Sequence, residues 1–464
     1  MPVNSFDSYP MTWKPDKASL TPPYYKALAE DLEAKIKAGR LAPGAKLPPQ
    51  RELADYLDLN YTTITRVYEL CKQKGLIYGT MGKGTFVAPH SAEDVTITAP
   101  NLAAPLIELG MVNGFSEYSK PVERATHAVV EKGYLRRLYE YSYPAGHPHQ
   151  LAAAVRWMEQ LGVHTDREHT AIFSGAQNAL TAALLSLFSP GDKIAVDPYT
   201  YSNLIELGKL LHIFLIPVAG DGAGMLPEEL DKTCTQNHIN GIYLMPACTN
   251  PTAITIPLSR RMELAKVIQQ NRLILIEDDI SSWMDAAAGT VPPSMFDLLG
   301  GQSVYICGMS KSLCPGLRIA YMAFGAAFKK AILHGLFNIN IKTSSLDAEI
   351  ITELILNGDA YKIAVHKQQL AEKSCAVFAR YFPEVRAAAH TGYFKWVPLP
   401  TQSPADQVEG ELMQNGVRTY HSMRFSVRGK QEQDFLRIAL CSAGNNRNLE
   451  KGLSILQSYL QRFS

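Results

Sequence analysis

Lys311 stands in YICGMSKSLCPGLRIAYM, where a short apolar run precedes Ser310-Lys311-Ser312 and Pro315-Gly316-Leu317-Arg318 leads into apolar residues again. Such flanks withdraw water from an ammonium, favour the neutral amine and make it a nucleophile able to condense with an aldehyde. A lysine snorkelling from a strand end fits the same stretch, so its companions have to decide. Ser174-Gly175-Ala176-Gln177 follows TAIFSG and opens a helical pattern striped by Leu180, Ala183, Leu184 and Leu187. Small residues at a helix N-terminus let free N–H groups approach a phosphate, whose charge the helix dipole favours. Asn250-Pro251-Thr252 follows GIYLMP, and Glu277-Asp278-Asp279 ends RLILIEDD. An amide there could hold a phenolic oxygen, and a carboxylate could keep a pyridine nitrogen protonated. A turn asparagine and a helix N-cap aspartate are the plain alternatives. Arg318 would supply a further phosphate partner.

These residues need a scaffold that brings them together. TAIFSG precedes AQNALTAALLSLF, DKIAVD precedes NLIELGKLL, GIYLMP precedes LSRRMELAKVIQQ, and RLILIED comes before VYICGM. Apolar strands alternating with amphipathic helices predict an α/β fold with a mostly parallel sheet. Ligands of such sheets lie beyond the carboxyl ends of the strands. The candidate residues fall there, just after their strands.

A separate module precedes this one. Leu28, Leu32 and Ile36 repeat at helical spacing before Gly39; QRELADYLDL makes a second short pattern; Asn60, a good N-cap, opens YTTITRVYELCKQKG with Ile64, Val67 and Cys71 on one face. LIYGTMGKGTFVA then alternates around glycines as a hairpin does. Three helices and a hairpin make a winged helix-turn-helix over residues 20 to 88. Its third helix presents Tyr61, Thr62, Thr63 and Arg66 from the end that meets base edges and phosphates, and Lys83 sits at the wing tip. Residues 89 to 109, with three prolines and no sustained period, predict a linker or strap. Residues 110 to 464 form the second module, its smaller portion beginning near 345.

Composition excludes little but bounds much. The 464 residues carry 46% hydrophobic and 19% charged residues and a net charge of +1, an ordinary globular balance. Residues 13 to 88 hold 12 Lys/Arg against 8 Asp/Glu, whereas 89 to 464 hold 33 against 35, so a basic head precedes a mildly acidic body. Seven scattered cysteines without a CxxC pair argue against a disulfide framework or zinc site, and no metal is expected. The N-terminus lacks a signal-peptide pattern, and no apolar run approaches the ~20 residues that span a bilayer, so a cytoplasmic location is expected.

The head resembles the DNA-binding domain of the GntR family of bacterial regulators through GRLAPGAKLPPQRELADYL, TTITRVYELCKQKGLI and GKGTFV. That resemblance implies that Arg51, Thr62, Thr63, Gly82 and Lys83 contact duplex DNA. Tyr61 stands where many members carry arginine, and Thr65 where some do, which implies a different operator. The order of phosphate loop, Asn-Pro, strand-end Asp, Lys and Arg resembles the fold-type I aminotransferases, with a smaller C-terminal α+β portion.

The second resemblance implies pyridoxal 5′-phosphate bound as a Schiff base to Lys311, with Asp278 on the pyridinium nitrogen and Asn250 on the ring oxygen. Gly175, Ala176, Gln177, Ser310 and Arg318 would surround the phosphate. It further implies Tyr201 (with Tyr199 close by in sequence) stacked on the ring, Tyr141 reaching a neighbouring subunit's phosphate in a dimer, and Arg437 gripping a substrate carboxylate. Two hydroxyls of that pattern are missing: Ile280, Ser281 and Ser282 stand where a tyrosine often follows the aspartates, and Gly308 where a serine often precedes the lysine by three. Efficient transamination is therefore less expected than cofactor binding. The whole chain resembles the MocR subfamily of transcriptional regulators. This implies a body that senses an amine or amino-acid effector, or the cofactor itself, and controls a DNA-binding head; an aminotransferase carrying such a head is the alternative.

Overall fold

A computed structural model describes residues 12–38, 40–42, 44–74, 76–80, 84–87, 106–116, 118–385, 392–400, 404–427 and 433–463. Contacts divide the chain into two units, residues 1–105 and 106–464.

In the first unit, α1 (Tyr24–Lys37), α2 (Gln50–Leu57) and α3 (Tyr61–Gln73) precede a hairpin of β1 (Ile77–Thr80) and β2 (Gly84–Val87), paired antiparallel. The helical stripes predicted from spacing are the buried ones: Leu28, Leu32 and Ile36 from α1 meet Ile64, Val67 and Cys71 from α3. Asn60 begins α3 by accepting a hydrogen bond from the Thr62 backbone N–H at 3.0 Å, satisfying one donor that the helix cannot pair internally. The architecture is the winged helix-turn-helix expected.

In the second unit, a seven-stranded sheet comprises β4 (Thr170–Phe173), β5 (Lys193–Val196), β6 (Phe214–Pro217), β7 (Gly241–Leu244), β8 (Ile274–Asp279), β9 (Ser303–Gly308) and β10 (Ala320–Phe324). Its spatial order is β4-β10-β9-β8-β7-β5-β6, and every neighbouring pair is parallel except the two made by β10. Both faces are covered, which is why the central strands read as unbroken apolar runs. Phe173, Ile306 and Met322 enter one apolar core, while Ile172, Tyr305 and Tyr321 enter another. Helices α4 (Ala176–Leu187), α5 (Ser202–Leu211) and α6 (Leu258–Gln270) follow β4, β5 and β7, as the alternation predicts.

A smaller layer holds an antiparallel sheet of β11 (Phe394–Pro398), β14 (Phe435–Ala439) and β13 (Tyr420–His421). The strap contributes to it too: β3 (Ile107–Glu108) pairs in parallel with β12 (Val417–Arg418), and Ile107 and Leu109 join its core beside helix α9 (Asn446–Leu460). The long helix α8 (Asp359–Tyr381) packs on α9 and on the helix Ser282–Ala288. Among the described residues, no helix is long and apolar enough to cross a membrane, and no cluster of metal-ligating side chains occurs.

Candidate functional site

The carboxyl ends of β4, β7, β8 and β9 open onto a cavity of about 600 Å³. Lys311, Asp278, Asn250, Tyr201, Arg318 and Arg437 all line it, as do Ala176, Gln177 and Ser310. Residues separated by more than 250 positions thus meet in one chamber, because strand ends of the large sheet and strand β14 (Phe435–Ala439) of the smaller layer converge on it.

Lys311 lies on helix α7 (Met309–Ser312), directly after β9. Burial and the nearby Arg437 and Arg318 guanidinium groups hold its amine below the usual lysine range, which eases release of its proton. Its Nζ donates to the Val112 carbonyl. The Lys311 carbonyl in turn accepts from Lys367 Nζ and Tyr393 Oη, each at 3.3 Å, and Lys367 also bonds the Leu313 carbonyl at 2.6 Å. Lys367, buried on α8, therefore caps the carboxyl end of α7 and fixes the backbone from which Lys311 projects. Neither Lys367 nor Tyr393 was foreseen, since both are remote in sequence.

Asp278 and Asp279 show how alternation divides two neighbouring carboxylates. Asp279 accepts from the Ser281 and Ser282 N–H groups, each at 2.9 Å, and from Tyr305, so the helix-capping role belongs to it. Asp278 faces the cavity instead, accepting from Tyr243 Oη at 2.6 Å, while its Oδ1 is buried with no partner. Burial raises its pKa to about 6 despite the Tyr243 hydrogen bond. Tyr243 was missed, although a tyrosine inside the aliphatic strand GIYLMP signals a buried hydroxyl in need of a partner.

Gly175 precedes α4 with φ +88°, a conformation that side chains rarely adopt, and a Cβ there would collide with the Arg318 guanidinium. Arg318 reaches Ser310 Oγ at 3.0 Å, so the Gly175 turn, Ser310 and Arg318 form one anion-attracting corner. Gly308 is close to the same corner: a Cβ on it would stand 3.1 Å from the Ala176 methyl group. Tyr201 donates to Gln177 Oε1 at 3.1 Å inside the cavity, whereas Tyr199 bonds the Gln433 carbonyl and packs on Trp396 and Phe435. Ile280 lines the cavity where the family pattern offers a hydroxyl.

Arg437, on β14, is buried. Its guanidinium donates to Asn250 Oδ1 at 2.8 Å and to the Gly110 carbonyl at 2.7 Å, and lies 4.6 Å from the Phe425 ring centroid. Its Nε has no partner, and burial lowers its pKa to about 10. A buried guanidinium bonded to neutral acceptors can take an anion at little further desolvation cost. Tyr420, Phe425 and Phe394 around it were not anticipated. Tyr141 is 89% exposed and does not line the cavity of its own chain.

On the head, Arg51, Tyr61, Thr62 and Arg66 are exposed and Thr63 is half-buried. The Thr62 hydroxyl bonds Asn60 Oδ1 at 2.9 Å, and the Arg51 guanidinium lies 5.9 Å from the Tyr61 ring centroid. Gly82 and Lys83 lie outside the described residues.

Comparison with known proteins follows these divisions. Residues 109–456 match the model of aminotransferase class I and II, and residues 24–87 that of the bacterial regulatory proteins, gntR family. The uncharacterized HTH-type transcriptional regulator YdeF of Bacillus subtilis is 34% identical over 462 residues, covering 99% of each chain. YjiR of Escherichia coli, likewise described as an HTH-type transcriptional regulator, is 24% identical over 88% of this chain and 92% of its own. Among solved structures, the α-aminoadipate aminotransferase LysN of Thermus thermophilus, complexed with N-(5′-phosphopyridoxyl)-L-leucine, aligns with a TM-score of 0.71 at 20% identity, over 79% of this chain and 96% of LysN. The kynurenine aminotransferase of Pyrococcus horikoshii gives 0.71 at 18% identity, over 78% and 92%. These two likenesses concern the fold. With a gntR-family head and an aminotransferase body that both match, and a relative similar from end to end, the chain belongs to the aminotransferase class I and II family and, as a whole, to the HTH-type transcriptional regulators related to YdeF.

Proposed function

We propose that the protein is a DNA-binding transcriptional regulator of the MocR type whose body binds pyridoxal 5′-phosphate at Lys311 and senses an amine or amino-acid effector, or the cofactor itself. One observation carries this reading: an amine held toward neutrality shares a 600 Å³ cavity with a carboxylate and a guanidinium that each keep a buried polar atom unpartnered. The residues fit the cofactor. Asp278 Oδ1 is free to hold a ring proton, and the Gly175 turn leaves room that a side chain would fill beside Arg318 and Ser310, where a phosphate would be held. Asn250 would bond the ring oxygen and Tyr201 would cover the ring face.

When bound, pyridoxal 5′-phosphate supplies an aldehyde that condenses reversibly with primary amines. Lys311 offers the resident amine, Asp278 holds the proton on the ring side, and Arg437 binds an effector carboxylate. The head's exposed Arg51, Tyr61, Thr62 and Arg66, together with Thr63 and with Gly82 and Lys83 beyond the described residues, bind operator DNA. A partner subunit's phosphate is the destination proposed for exposed Tyr141, which makes the working form a homodimer; a cytoplasmic location belongs to the same proposal. Domain limits at 20–88, 89–109 and 110–464, with the smaller portion from about 345, belong to the same proposal.

Adding the cofactor should produce a visible absorption band that Lys311→Ala lacks; a band unchanged in that variant would refute the site. The complete set of Lys311, Asp278, Asn250 and Arg437 also favours a second reading, a working aminotransferase with a DNA-binding head. Incubation with amino donors and a keto acid separates the two, since steady turnover is expected of the enzyme and not of the pure sensor.

A further inference from the structure

The segment that enters the body from the linker is tied to both reactive seats of the cavity. Residues 106–109 are anchored in the smaller layer: Ile107 N–H bonds Gly416 O at 2.8 Å, Leu109 N–H bonds Arg418 O at 2.9 Å, Ala439 N–H bonds Leu109 O at 2.7 Å, and Glu108 meets Arg418 at 3.0 Å. Beyond this anchor the strap crosses the cavity wall, where Met111 and Val112 line it. There its carbonyls are held by the two groups assigned to ligands above, Gly110 by the Arg437 guanidinium at 2.7 Å and Val112 by Lys311 Nζ. Ser442 Oγ bonds the Met111 carbonyl and accepts from Asn113 N–H at 3.0 Å, and Glu108 Oε1 accepts from the Gly110 and Met111 N–H groups at 2.9 and 2.8 Å.

We propose that residues 110–113 are the element that reads the cavity, because the strap and the ligands compete for the same Lys311 and Arg437 donors. The proposal rests on the reading of those two residues given above and adds how their engagement is transmitted. A neutral amine that condenses with an aldehyde gives its two hydrogens to the departing water, and so loses the one it donates to Val112 O; a proton taken up afterwards is fixed in the plane of the new double bond. A carboxylate on Arg437 is a stronger acceptor than the neutral Gly110 carbonyl and draws the guanidinium toward itself. The cofactor aldehyde therefore loosens the strap at Val112, and an effector carboxylate loosens it at Gly110. An amino-acid effector that takes the aldehyde from Lys311 returns the Val112 donor while its carboxylate holds Arg437, so it moves the loosened point from one end of the crossing to the other. Residues 88–105 join Leu106 to the head along the chain, so the loosened segment adjoins the linker. Such competition supplies the differential contact that any ligand must have to shift a conformational equilibrium.

Hydrogen–deuterium exchange on the full chain tests this, followed in peptides covering 106–116, with 193–196 in the central sheet as internal reference. Lys311→Ala and Arg437→Gln should each raise exchange in 106–116 by about fivefold, the change expected when local opening is eased by one ordinary hydrogen bond. Pyridoxal 5′-phosphate added to the unsubstituted protein should raise it similarly, in step with the visible band. If the band forms while exchange in 106–116 stays constant, the strap proposal is overturned and the Lys311 reading stands. If no band forms, that reading falls and competition at Lys311 falls with it; raised exchange in the variants then supports only the hold of the two donors on the strap, and unchanged exchange in both overturns that as well.

Discussion

A buried carboxylate at a strand end, accepting one hydrogen bond and leaving one oxygen bare, is tuned for a cationic ligand atom. Asp278, raised to about 6 from its ordinary 3.8, keeps its proton when folded through a pH range in which the unfolded chain has released it. Its contribution to stability is therefore fully present below the unfolded value and is lost as pH rises through about 6. Ligand binding runs the other way, since only the ionised form can hold a ring proton. Cofactor affinity should thus fall as pH drops below about 6, and Asp278→Asn should weaken binding and remove this dependence, measured by absorbance titration across pH. Tyr243→Phe leaves Asp278 Oδ2 without its 2.6 Å donor, moving the pH dependence upward and costing about 1–3 kcal/mol of stability for an unsatisfied buried acceptor, measured by denaturant unfolding.

At the level of elements, the site is built from strand ends and helix starts, and these were the most legible features of the sequence. TAIFSG, GIYLMP, RLILIEDD and VYICGM became β4, β7, β8 and β9, and Lys311, Asp278, Asn250 and the helix-start residues Ala176 and Gln177 that follow or end them line one cavity. Contacts between remote segments were not legible. Lys367 capping α7, Tyr243 on Asp278 and the Gly110 and Val112 carbonyls on Arg437 and Lys311 depend on how separate elements pack, which no local periodicity encodes. Gly175→Ala tests the helix start. With φ +88° and Arg318 in the way, it should lose about 1–3 kcal/mol of stability to backbone strain and weaken cofactor binding, read from unfolding and absorbance titrations. On α3, Arg66→Ala should weaken DNA binding evenly across sequences and reduce the salt slope by about 1 if Arg66 contacts a phosphate; affinity flat across a salt titration would exclude that contact.

For the whole molecule, a DNA-binding head and a cofactor-type cavity on one chain make sense if the cavity's chemistry is the signal. The missing hydroxyls at Ile280 and Gly308 leave the amine, the carboxylate and the guanidinium intact, a set sufficient for holding and exchanging an amine. All of this turns on Lys311 being the point of attachment. The most direct measurement is to add pyridoxal 5′-phosphate to the full-length protein, reduce with borohydride, digest and map the modified lysine by mass spectrometry. The pyridoxyl group is expected on Lys311 at stoichiometric cofactor. Label spread over surface lysines with Lys311 unmodified would contradict it.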